Sequence, residues 1–222
     1  GMHADGVLKY SSSFEHIDPE TIGNKRKFLL SEISGKSAIY DKLKKYFPTL
    51  DKNGKEMGEI VAALKDRALQ GYQYEAAEAS FILLVEKLLG KYKNSFDLIN
   101  YKIINEQPAI EGKVASAIIK VRVNGVTKIA ASDGEGPVHA MDLALRSALS
   151  DFYPEIAQVT LTDFKVRVLD SDKATAAKVR VLITSANSSD SWTTVGVSED
   201  IIEASWRALT DSIDYALMRS KR

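Results

Sequence analysis

The sequence predicts an α+β chain, with helical linker subdomains over residues 1–93 followed by a duplicated βββα-βββα domain over residues 94–222. Three observations predict it. Hydrophobic periodicity is helical as far as Gly90 and turns to alternation beyond residues 91–94. Alternating runs then lead twice into a helical stripe. Finally, Lys120-Val121-Arg122 returns 58 positions on as Lys178-Val179-Arg180, and Val138, Ala140, Leu145 and Leu149 match Ile202, Ala204, Leu209 and Ile213 at an offset of 64. The six extra residues fall in the hairpin around the polar turn Ala186-Asn187-Ser188-Ser189-Asp190, where insertion costs little. Such a duplication implies a pseudo-twofold domain, each sheet and helix packing against its copy.

In the first part, Asp18-Pro19-Glu20 reads as an N-cap, a proline at the first helical position and an acidic first turn. A helix follows over 37–46, stopped near Pro48, and Asp51-Lys52-Asn53-Gly54 is a turn cluster. The next helix, 55–69, places Met57, Ile60, Val61 and Leu64 at helical spacing and ends at Gly71. A third, 75–89, carries Ala79, Phe81, Leu83, Leu84 and Leu89, and its acids Glu75, Glu78 and Glu86 are expected to face solvent or a neighbouring subunit.

In the second part, residues 114–123 alternate Ala115, Ala117, Ile119, Val121 and Val123 against Ser116, Lys120 and Arg122. Asn124-Gly125 supplies the two left-handed residues of a tight hairpin, which makes 126–132 the antiparallel partner. After Gly134-Glu135-Gly136-Pro137, a helix lines up Val138, Met141, Leu145, Leu149 and Phe152. The order then repeats: strands over 159–169, 175–184 and 192–197, then a helix over 199–219 with Ile202, Leu209, Ile213 and Leu217 inward.

Of 222 residues, 45% are hydrophobic, enough for a substantial core, and 30 basic side chains balance 30 acidic ones. That balance gives no electrostatic reason to expect nucleic acid or an anionic membrane as partner. The lack of cysteine rules out disulfides, thiolate metal sites and a cysteine nucleophile. With no apolar run near the ~20 residues of a membrane span and no leader-like start, a cytoplasmic location is expected. The start, running at once into Val7-Leu8-Lys9, reads as cut from something longer.

The most informative stretch is Gly134-Glu135-Gly136-Pro137-Val138. Two glycines let backbone approach a ligand, Pro137 starts a helix, and free N–H groups in the first turn suit a carboxylate or phosphate. A plain strand-to-helix turn is the bland alternative. The three histidines, His3, His16 and His139, form no metal-binding pair at helical spacing, so no metal site is expected. Neither a Gly-x-Ser-x-Gly elbow nor a phosphate-binding Gly-Lys-Ser/Thr loop is present. A double-stranded-RNA-binding module shares the βββα order but needs basic residues opening its last helix. Here those positions hold Val138, His139, Met141 and Asp142, or Ser198, Glu199 and Asp200.

Three words, Gly134-Glu135-Gly136-Pro137-Val138, Ala140-Met141-Asp142-Leu143-Ala144-Leu145-Arg146, and Val195-Gly196-Val197-Ser198 with Ile202-Glu203-Ala204-Ser205-Trp206, resemble the C-terminal regulatory domain of the 2-isopropylmalate synthase family. Upstream, Phe14-Glu15-His16-Ile17-Asp18-Pro19-Glu20, Gly23-Asn24, Ser31-Glu32-Ile33-Ser34-Gly35-Lys36-Ser37 and the run from Gly71-Tyr72-Gln73-Tyr74 to Ser80 resemble its citramalate synthase branch. The resemblance covers nearly the whole chain. It implies an acyltransferase condensing acetyl-CoA with a 2-oxo acid, pyruvate in this branch, on a divalent-metal-bearing TIM barrel of ~250 residues that this chain lacks. The isolated chain is therefore expected to be inactive and to hold no cofactor.

By the same resemblance, His3 matches a linker histidine that assists proton transfer in the partner's active site, and Phe14 stands where the family usually has tyrosine. Gly134, Glu135, Gly136, Pro137 and His139 match the turn that meets a branched-chain amino acid effector, isoleucine or leucine, within a homodimer. Thr175 and Ala177, opening the matching strand of the second repeat, join them, and Ala130, Ala131 and Ala177 leave room for an aliphatic side chain. Expected alternatives are the same region of a 2-isopropylmalate or homocitrate synthase, or a freestanding amino-acid-binding module.

Overall fold

The computed structural model describes Thr21 and residues 35–170 and 175–220. His3, Phe14, His16 and the 18–20 helix start lie outside them. The chain divides into two compact units, Gly1–Glu75 and Ala76–Arg222.

In the first unit, α1 (Lys36–Lys44) buries Ile39 and Leu43. Asp51 makes the expected turn, its Oδ1 accepting from the Asn53 N–H at 3.0 Å and its carbonyl from Gly54 at 3.2 Å. Helix α2 (Lys55–Leu69) follows over the expected residues, burying Met57, Ile60 and Leu64 on one stripe. It stops where Gly71 takes a φ of 102°, a left-handed conformation that glycine adopts without a Cβ clash.

The second unit opens with α3 (Glu78–Leu88). Periodicity alone groups this helix with its predecessors and puts the division at 93/94. The compact units divide at 75/76, with α3 packed against the last helix and the last strand of the second unit. That packing also overturns the expectation for Glu86, which is 1% exposed. Of the other two acids, Glu78 is exposed and Glu75 partly so.

Two three-stranded antiparallel sheets follow, each leading into a helix. The first comprises β1 (Asp97–Ile110), β2 (Lys113–Val123) and β3 (Val126–Gly134) in that order, followed by α4 (Pro137–Leu149). β2 buries Ala115, Ala117, Ile119, Val121 and Val123, as its alternation requires. Asn124 (φ 49°) and Gly125 (φ 84°) form the predicted turn. The second sheet comprises β4 (Thr160–Val168), β5 (Val179–Ala186) and β6 (Ser191–Ser198), and α5 (Ile201–Ser220) closes the chain. A short 3₁₀ segment, Pro154–Gln158, links α4 to β4.

One apolar core runs through both sheets and both helices. It joins Ile119 and Val121 to Leu145 and Leu149, and continues into Val181, Ile183, Leu209 and Ile213. Tyr101 of β1 meets Trp206 of α5 with ring centroids 5.6 Å apart. Burying so many branched side chains, each worth roughly 1.5–3 kcal/mol, is the main force holding the unit together.

Candidate functional site

The predicted turn sits where β3 gives way to α4, and its glycines do different jobs. Gly134 is buried, and a Cβ there would lie 2.4 Å from the Ala140 amide nitrogen, so only glycine lets strand and helix approach this closely. Gly196 repeats this in β6: its added Cβ would lie 2.0 Å from the Ala204 carbonyl oxygen. Gly136, the α4 N-cap, has extended backbone (φ −169°), and nothing lies within 4 Å of an added Cβ. Open space at that position is what a ligand would need.

Pro137 occupies the first turn of α4, and the Gly136 cap supplies no side-chain hydrogen bond to the first-turn N–H groups. Exposed Glu135 donates its backbone N–H to His139 Nδ1 at 3.4 Å, which orients the imidazole across the turn.

Beside this turn, a cleft of about 770 Å³ runs between the outer face of α4 and the segment leading into β4. Val138 and His139 line it at the turn end, Leu143, Leu161 and Phe164 supply apolar walls, and Asp142 and Arg146 the polar side. Arg146 braces the cleft: its Nε donates to Asp142 Oδ1 at 2.8 Å, and its Nη1 donates to the Val159 carbonyl at 2.6 Å and the Ile156 carbonyl at 3.3 Å. One guanidinium thus ties the helix wall to the strand wall. Burial raises the Asp142 pKa, only partly opposed by Arg146 and His139.

Of the predicted residues, His139 lines the cleft and the turn from Gly134 to Pro137 adjoins it in sequence. Thr175 and Ala177 do not line it. They also precede β5 instead of opening it, because pairing with β4 ends at Val168 with Val179. Ala130 and Ala131 are absent from the lining, and strand alternation points them to opposite faces of their sheet. Room for an aliphatic group comes from the gap between α4 and β4. Sequence reasoning missed Asp142, Arg146, Leu161 and Phe164 as a group; the one local signal was the acid–base spacing of Asp142 and Arg146 on a helix.

The β4 edge of the second sheet is also unfinished. Phe164 and Val166 pair with buried Ile183 and Val181, so they share the core-facing side, yet are 38% and 41% exposed. Among the described residues, no group of three or more histidines or carboxylates is placed to hold a metal ion. Nor is any helix long and apolar enough to cross a membrane.

A model of the LeuA allosteric (dimerisation) domain matches residues 75–217, and one of the homocitrate synthase post-HMGL domain-like family matches residues 1–71. The chain is 42% identical over its full length to an (R)-citramalate synthase of Aquifex aeolicus, covering 42% of that protein. It is 40% identical over its full length to one of Geobacter sulfurreducens, again covering 42% of it. A 2-isopropylmalate synthase of Methanocaldococcus jannaschii is 27% identical over the whole chain, which covers 41% of that relative. The chain thus spans about two fifths of the length of these curated relatives. With most of its length matched by the LeuA allosteric (dimerisation) domain, and glycines holding β3 and β6 against α4 and α5, the chain belongs to that family.

Proposed function

We propose that this chain is the linker and allosteric region of a homodimeric, cytoplasmic (R)-citramalate synthase, and that its second unit holds a branched-chain amino acid as feedback inhibitor in the cleft between α4 and β4. The observation carrying this reading is the cleft itself: an apolar groove opening at an uncapped helix N-terminus, inside a domain of an allosteric family. The first-turn N–H groups suit the ligand's carboxylate, and Leu143, Leu161 and Phe164 suit an aliphatic side chain. The higher identity to citramalate synthases than to a 2-isopropylmalate synthase favours pyruvate as the 2-oxo acid and isoleucine as the effector.

The condensation of acetyl-CoA with the oxo acid, and its divalent metal, would belong to a barrel outside this chain. This chain would bind effector, pair with a second copy and change how the linker presents His3. The uncovered side of β4 at Phe164 and Val166 suits contact with a second copy. In this reading the two βββα segments are copies related by a pseudo-twofold axis, with the division at residue 93 marking linker from regulatory repeats.

Isothermal titration of the purified chain with isoleucine and leucine in parallel tests the proposal. Saturable binding of isoleucine, abolished by Gly136→Trp, is the expected result. No heat from either amino acid would overturn the assignment of the cleft as an effector site.

A further inference from the structure

Resting on that reading of the cleft, we propose that Asp142 receives the ligand's ammonium group and so makes the site selective for amino acids over the corresponding plain carboxylic acids.

Asp142 stands on the second turn of α4, its side chain 13% exposed, facing a cleft whose other walls are largely apolar. Among the described residues its one side-chain hydrogen bond is the 2.8 Å contact from Arg146 Nε to Oδ1. Arg146 does not close a two-pronged pair with it, because Nη1 reaches away to the carbonyls of Val159 and Ile156. One carboxylate oxygen takes the brace, and the other accepts no side-chain hydrogen bond among the described residues, in a residue that lines the cleft.

The comparable pair on α5 shows what a completed arrangement looks like. Glu203 accepts from Arg207 at one oxygen and from Ser198 Oγ at the other, both at 2.6 Å. Those two donors, Ser198 foremost, lower its pKa, whereas burial raises that of Asp142. Asp142 thus has one donor where Glu203 has two, in a side chain that is largely buried.

Spacing completes the case. Asp142 lies four residues beyond Val138, about 6 Å along the axis, and Cβ bonds tilt toward the helix N-terminus. A ligand bearing both charges on a single carbon can therefore place its carboxylate at the first-turn N–H groups and its ammonium at Asp142. The aliphatic chain then points at Leu161 and Phe164.

The test titrates the full chain with isoleucine and with 3-methylpentanoate, its counterpart lacking the amine, using wild type, Asp142→Asn and Asp142→Glu. Asparagine keeps an oxygen for Arg146, so the brace survives and only the charge is lost. Wild type should favour isoleucine by about tenfold or more, the worth of one charged hydrogen bond. Asp142→Asn should lose that preference by weakening isoleucine alone, and Asp142→Glu should keep most of it. If wild type binds isoleucine but Asp142→Asn binds it equally well, or weakens both ligands alike, Asp142 is only a brace and the inference falls while the effector site stands. If wild type binds neither compound, the reading of the cleft fails and this inference with it.

Discussion

At the scale of single residues, the two glycines flanking Glu135 separate packing from access. Gly134→Ala forces a methyl against the α4 backbone at Ala140 and should destabilise the fold by about 1–3 kcal/mol. Gly136→Ala meets open space and should change stability by less than about 0.5 kcal/mol. Urea denaturation midpoints of the two variants check both. Asp214 gives a pH prediction. It is buried on α5, and its Oδ1 accepts from Tyr92 Oη at 2.8 Å and the Ser95 N–H at 3.0 Å; Tyr153 Oη in turn donates to the Ser95 carbonyl at 2.8 Å. Burial raises its pKa more than these donors lower it, and the Tyr92 phenol beside it is pushed far upward as well. The folded state therefore holds the Asp214 proton more tightly than the unfolded chain. Its contribution to stability falls as pH rises from the ordinary value of 3.8 to the raised folded value, then levels off. Asp214→Asn, whose Oδ1 can accept both hydrogen bonds, should flatten that part of the slope and leave the share due to Asp142, measured by denaturation across pH 4–7.

At the scale of elements, α3 protects a sheet edge. Ser80 Oγ accepts from the Val195 N–H of β6 at 3.0 Å and donates to Asp211 of α5 at 2.7 Å, so one hydroxyl satisfies a buried strand amide and pins the helix. An unpaired edge amide would otherwise be left without water. Ser80→Ala should cost about 1–3 kcal/mol, read from the shift in thermal midpoint by differential scanning calorimetry. The strands themselves were legible because their cause is local. Ala115 to Val123 alternate, and Asn124-Gly125 can adopt the left-handed pair that closes the hairpin. The start of β5 was misplaced since the alternation of 177–183 says nothing about where β4 stops.

At the scale of the whole molecule, helix α3 decides what folds as one body. Its buried Phe81, Ile82, Leu83 and Val85 are each worth roughly 1.5–3 kcal/mol. Together they approach the roughly 5–15 kcal/mol of net stability a domain holds. A fragment of residues 76–222 should therefore melt in one sharp transition by circular dichroism, and a fragment of 94–222 should lose that cooperativity. Retention of a sharp transition by the shorter fragment would show that residues 94–222 fold as one body without α3.

Sequence by itself determined the α+β class, the order of the strands and helices, the inward faces of β2, α4 and α5, and the turn before Pro137. Each follows from spacing within a few residues, where steric and solvent preferences act on neighbours. Only tertiary structure decided that Glu86 is buried, that α3 joins the second unit, that Gly134 touches Ala140, and that Arg146 reaches Val159 to wall the cleft beside Asp142. These depend on where separate elements come to rest against each other, which is set by packing of the common core and leaves no period along the chain.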